Sequence, residues 1–287
     1  MFMLINLSFM KCFNLNLGGG GLCNRLRTLY SHYTYCLENG LNLVIYNIPT
    51  DYCIEDFSYY LVFPNNMSFI YEKDYRGDLF CRRWNSEKKL KNCIVGGGFV
   101  GCSTSSPHSN NEANHKYDGH KSNIYSELKF SPEITKMSID EKYIALHIRR
   151  TDISSLSNTY PMLNDSYYMD FIDSYDSNLK IYIATDNKET LDIFKKKYGS
   201  RIINNSTFID RQFGLRKTSA YDVIVDLFLC IQSTFFLGTR LSSMTDLIYQ
   251  YRYFVLKNNN ASELEMATSI TYKCLHMTPD KTPPLRN

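Results

Sequence analysis

Three apolar runs in the second half of the chain each end in a cluster of polar residues. Residues 143–148 run into Arg149, Arg150, Thr151 and Asp152. Residues 181–185 run into Asp186 and Asn187, and residues 235–238 into Thr239, Arg240, Ser242 and Ser243. Each run has strand length and is apolar almost throughout, the pattern of a strand buried on both faces of a parallel sheet. Ligands bind such sheets beyond the carboxyl ends of the strands, so the three clusters are expected on one edge. That edge suits a nucleotide diphosphate. Arginine offers a planar fork of donors that matches phosphate oxygens and keeps its charge at any working pH. Ser242 and Ser243 at a helix start offer hydroxyls and open backbone N–H groups, an anion site. Asp186 or Asp226 would accept hydrogen bonds from a guanine base or a ribose. Asp226 lies inside the run Val223-Ile224-Val225-Asp226-Leu227-Phe228-Leu229, so its carboxylate is expected to be partly buried and to need a partner.

The elements that position these groups follow from periodicity. Helical patterns cover about 166–175, 188–198 and 219–231, alternating with the three strands. Earlier, a short strand at 13–17 runs into Gly18 to Gly21 and then a helix from about 24 to 37, with Leu26, Leu29, Tyr30 and Tyr33 on one face. A second strand spans 41–46, and a short strand before Gly96, Gly97 and Gly98 lies within 92–100. Strand, glycine loop, helix, strand is the start of a doubly wound sheet. Residues 50–92 show no clear period, and 101–122 read as a long polar surface loop. A boundary near 132–142, beside Pro132, gives two α/β domains, 1–140 and 141–287.

Composition sets the outer bounds. The 287 residues are 44% hydrophobic and 21% charged, which marks a globular protein with room for two such domains. A net charge of +3 is too mild for non-specific binding to nucleic acid or an acidic membrane, and fits a local basic pocket for a small anion. The nine cysteines form no CxxC pair, which argues against a zinc site of the usual kind; Cys36 and Cys230 sit in apolar helical patterns and read as packing residues. No run reaches the roughly 18 apolar residues of a membrane span, and the apolar start lacks a basic n-region and a cleavage site. The expectation is a cytoplasmic chain with reduced thiols.

The string His147-Ile148-Arg149-Arg150-Thr151-Asp152 resembles the first signature peptide of the α1,6-, α1,2- and protein O-fucosyltransferase superfamily. Ile181-Tyr182-Ile183-Ala184-Thr185-Asp186-Asn187 resembles the second. Val223 to Asp226, followed by Phe236-Leu237-Gly238-Thr239 and Ser242-Ser243, resembles the third. Gly19-Gly20-Gly21-Leu22-Cys23-Asn24-Arg25-Leu26 is similar to the glycine-rich loop of that family. The agreement covers about residues 15–40 and 143–250, in order. The resemblance implies a GT-B fold: two Rossmann-like domains facing across a cleft, the donor mainly on the second. It implies an inverting, metal-independent transfer of fucose from GDP-fucose to a glycan or glycoprotein, with no cofactor and no nucleic-acid partner. Under it Arg149 neutralises charge on the departing β-phosphate, Arg150 and Asp152 shape the pocket, and His147 and Asp226 hold the guanine end. Asn24 and Arg25, with Gly20 and Gly21, reach the sugar and phosphates from the first domain. Two positions depart from the pattern: Cys23 replaces the usual glycine, and Ile153 stands where the α1,6 enzymes carry lysine.

Plainer readings stand beside these. Arg149-Arg150 as a solvated pair is disfavoured by its place directly after a buried strand. His147 as a hydrogen-bonded core histidine, and Asp226 as a structural carboxylate, remain open. Lys195-Lys196-Lys197 reads as a solvated helix end. At the level of function, the alternatives are a GT-B transferase for another nucleotide-sugar and a non-catalytic nucleotide- or glycan-binding protein.

Overall fold

The computed structural model describes residues 12–17, 21–47, 49, 53–71, 93–98, 123–150, 164–205, 218–239 and 242–257. The chain divides into two compact units, 1–129 with 213–215, and 130–212 with 216–287. The boundary falls at the two-residue strand Lys129–Phe130, just ahead of Pro132.

The first unit carries β1 (Cys12–Leu17), α1 (Leu22–Glu38), β2 (Asn42–Asn47), the two-residue β3 (Leu61–Val62), β4 (Met67–Tyr71) and β5 (Cys93–Gly98). Its main sheet is parallel with order β4-β2-β1-β5. The second unit follows β6 (Lys129–Phe130) and the short α2 (Pro132–Thr135). It carries β7 (Tyr143–Ile148), α3 (Asp165–Asp173), β8 (Lys180–Thr185), α4 (Lys188–Tyr198), β9 (Ile202–Ile203), α5 (Ala220–Gln232), β10 (Phe235–Gly238) and α6 (Ser243–Gln250). Its sheet is also parallel, with order β10-β7-β8-β9. Both sheets repeat one plan: the first strand is central, the next two lie to one side, and the fourth lies on the other. The switch points are therefore β1/β5 in the first unit and β7/β10 in the second.

Alternation along the second sheet sorts its side chains into two layers. Ile144, Leu146, Ile148, Ile181, Ile183 and Leu237 pack with Tyr168 and Ile172 of α3 and Leu191 and Phe194 of α4. Burying each such aliphatic side chain contributes about 1.5–3 kcal/mol. The opposite layer faces α5 and α6: the Tyr143 hydroxyl donates to the Leu229 carbonyl (2.6 Å) and the Tyr182 hydroxyl to Asp226 (2.5 Å). Coverage on both faces explains why these strands read as unbroken apolar runs. The helices are closed by capping at their starts. Asn164 caps α3, Asn187 caps α4, and Ser219 with Asp222 forms a capping box on α5. Lys195, Lys196 and Lys197 occupy the exposed last turn of α4, and Lys197 pairs with Asp173 at 2.7 Å. Cys36 and Cys230 are fully buried and in no disulfide. Among the described residues no helix is long and apolar enough to cross a membrane.

Candidate functional site: the switch point of the second unit

Arg149 follows β7 and Thr239 follows β10, so the two flank the switch point of the second sheet. Thr239 ties them together. Its N–H and its hydroxyl both donate to the His147 carbonyl (2.8 and 2.9 Å). Its Oγ1 accepts the Arg149 N–H at 2.9 Å and lies 2.9 Å from the Tyr168 hydroxyl. A hydroxyl has one proton and two lone pairs. The proton points to His147 O and one lone pair faces Arg149, so Tyr168 is the donor in the last contact. All the bonding capacity of the Thr239 hydroxyl is thus engaged within the protein. This geometry makes the Thr239 side chain part of the framework that joins β7, β10 and α3.

Arg150 is anchored three ways. Its N–H donates to Asp186 Oδ1 (2.8 Å), its Nη2 pairs with Asp165 Oδ1 (2.6 Å), and its guanidinium lies over the Tyr168 ring, 5.7 Å from the centroid. Arg150 is thus bound to a carboxylate and a ring, and half-buried Arg149 is held at its main chain by Thr239. Asp186, expected to meet the base or ribose, holds the turn after β7 through Oδ1. Asn187 caps α4, its Oδ1 accepting the Thr190 N–H at 2.7 Å.

His147 faces the α6 side and is nearly buried, with Nδ1 2.8 Å from Thr245 Oγ1. Burial, with the adjacent Arg149 charge adding to it, pulls its pKa down to about 3. The ring is neutral at any working pH, and it ties β7 to the first turn of α6. Gly238 is required by this contact: a Cβ there would stand 2.5 Å from both Thr245 Oγ1 and Cγ2. Ser242 precedes that turn almost fully buried and makes no side-chain cap, while Ser243 is half-buried.

Asp226 does not join the edge. It accepts from Tyr182, three residues before the end of β8, which puts it about 10 Å below the strand end at ~3.3 Å per residue. Burial pushes its carboxyl up to about 8, against the Tyr182 hydrogen bond and helped by Asp222. Arg25 belongs to the first unit's own framework: fully buried, its Nη1 donates to Leu17 O (3.0 Å) and Asn47 Oδ1 (2.6 Å). It fixes the ends of β1 and β2 in register. Gly21 is the N-cap of α1, and Asn24 is half-buried in its first turn. Gly20, Asp152, Thr151 and Arg240 lie outside the described residues.

Sequence reasoning missed Tyr168, Asp165 and Thr245. Tyr168 and Ile172 fall four apart on a helix, which reads as a core stripe; nothing in that pattern marks the hydroxyl. Asp165 reads as an ordinary first-turn acid. Among the described residues, no group of three His, Cys, Asp or Glu is placed to hold a metal ion.

No protein-family model matches the sequence, and no curated protein matches it. Solved structures do. The chain is similar to NodZ alpha-1,6-fucosyltransferase soaked with GDP-fucose, at 15% identity and a TM-score of 0.50, over 84% of this chain and 92% of that one. It is similar to POFUT1 in complex with GDP at 11% identity and a TM-score of 0.54, over 85% and 95% of the two chains. POFUT1 in complex with GDP-fucose gives 11%, 0.51, 85% and 94%. At such identities the likeness speaks for the fold, and the fold is α/β of the GT-B type, built from two Rossmann-like units with parallel sheets, as in these fucosyltransferases.

Proposed function

We propose that this chain is a glycosyltransferase that takes fucose from GDP-fucose, with the diphosphate of the donor bound at the switch point between β7 and β10. The observation that carries this reading is Arg149, a half-buried arginine whose main chain is locked by Thr239 where a parallel sheet of this fold binds ligands. Support comes from the shared fold with proteins solved with GDP and GDP-fucose. Transfer leaves new negative charge on the β-phosphate, and a prepositioned guanidinium stabilises that charge as it forms. The reading includes inversion at the anomeric carbon, no metal or cofactor, a glycan or glycoprotein acceptor, and 141–287 as the donor domain with 1–140 on the acceptor side.

The test is a melting series with GDP, GDP-fucose, GDP-mannose and UDP-sugars, with donor hydrolysis and a glycan array run alongside. A ligand that binds only the native state raises the melting temperature. GDP and GDP-fucose are expected to do so, EDTA to leave turnover unchanged, and Arg149→Ala to lower turnover ~10²-fold or more with the fold intact. Preference for UDP-sugars assigns another donor, and no response to any guanine nucleotide overturns the reading.

A further inference from the structure

We propose that Tyr168 is a positioning residue of the donor site: its hydroxyl fixes Thr239, and through it the Arg149 main chain, while its ring underlies the Arg150 guanidinium. This rests on the donor-site reading above and goes beyond it, because Tyr168 lies on α3, a helix that contributes no residue to the three sequence clusters.

Three observations converge. Tyr168 is fully buried, and its hydroxyl is the donor to Thr239 Oγ1, since the Thr239 hydroxyl donates its own proton to His147 O. Burial raises its pKa to about 12, so the phenol keeps its proton and remains a donor. Asp165, three residues earlier on the same helix face, holds Arg150 at 2.6 Å. One turn of α3 therefore clamps both arginines: the first through Thr239, the second through a ring and a carboxylate. Buried tyrosine hydroxyls usually have a hydrogen-bond partner, and the partner of this one is Thr239. Removing it leaves Thr239 one donor short and frees the Arg149 amide to shift. Misplacement by a fraction of an ångström matters most where charge develops, in the transition state.

The test uses the full chain with Tyr168→Phe, Thr239→Val and the double variant. Exchange of the Arg149 amide, measured without nucleotide, is expected to speed up about tenfold in Tyr168→Phe. With GDP-fucose, kcat of donor hydrolysis is expected to fall about tenfold while KM stays within about twofold. In the Thr239→Val background, adding Tyr168→Phe is expected to change kcat less than twofold, because the route through Thr239 is already cut. Unchanged exchange at Arg149 overturns the proposal. So does faster exchange with unchanged kcat, or full additivity in the double variant. Should wild-type protein neither bind GDP nor release fucose, the donor-site reading falls on that result, and the exchange measurement alone decides whether Tyr168 holds Arg149.

Discussion

His147 and Asp226 lie on the same side of one sheet and are displaced in opposite directions by the same cause. Burial drives each toward its neutral form, taking His147 from 6.5 to about 3 and Asp226 from 3.8 to about 8. For His147 the unfolded chain holds the extra proton, so its contribution to stability declines as pH falls from 6.5 toward 3. For Asp226 the folded chain holds the extra proton, so stability declines as pH rises from 3.8 toward 8. Between 3.8 and 6.5 the two slopes cancel. Above 6.5 only Asp226 remains, at up to ~1.4 kcal/mol per pH unit, about 2 kcal/mol by pH 8. Asn is the neutral isostere and still accepts from Tyr182. Asp226→Asn is therefore expected to hold the melting temperature level from pH 6.5 to 8, where the wild type drops by several degrees. Parallel curves for the two proteins would show that the carboxyl does not titrate in that window.

At the scale of elements, the site depends on two junctions at opposite ends of β10. At its carboxyl end, Gly238 leaves room for Thr245, which holds His147. Gly238→Ala must displace a buried threonine, and overpacking of this kind costs about 1–3 kcal/mol. The expected result is a lower melting temperature together with weaker GDP binding. At the amino end, Arg252 in the π-helical turn Tyr251–Val255 is fully buried and donates to Ile231 O (3.0 Å), Ser233 O (2.5 Å) and Thr234 O (3.3 Å). It closes the carbonyl end of α5, which has no intrahelical donors left. Arg252→Met is expected to lose about 3 kcal/mol in denaturant unfolding while GDP affinity stays within twofold, separating stability from the site. The contrast also explains what could be read from the chain beforehand. Helix Lys188–Tyr198 and strands Tyr143–Ile148 and Phe235–Gly238 follow from local periodicity and emerge with the expected bounds. Met67–Tyr71 was hidden because Ile70 is exposed on an edge strand, which spoils the alternation. Which clusters stand after strands was legible in the same way. Whether Thr239, Asn187, Asp226 or Arg25 is used inside the protein was not, because several of their partners lie 22 to 92 residues away.

Both units repeat one strand order, so the whole molecule carries two switch points of the same design, and the question is which one takes the nucleotide. In the first unit, the strand ends carry glycine and an asparagine tied to Arg25. In the second, they carry two arginines and the start of α6. Cationic donors beside a helix N-terminus favour a diphosphate, and the mild net charge of +3 makes this a local preference rather than a pull by the whole surface. Binding at 100 times Kd stabilises the native state by about 2.7 kcal/mol, and the slowing of amide exchange falls on the segments that the ligand orders. Saturating GDP is therefore expected to slow exchange most at 147–150, 185–187 and 238–243, with β4 and its surroundings at 61–71 unchanged. Largest protection in Leu22–Glu38 instead would move the donor to the first unit and leave Arg149 a structural arginine.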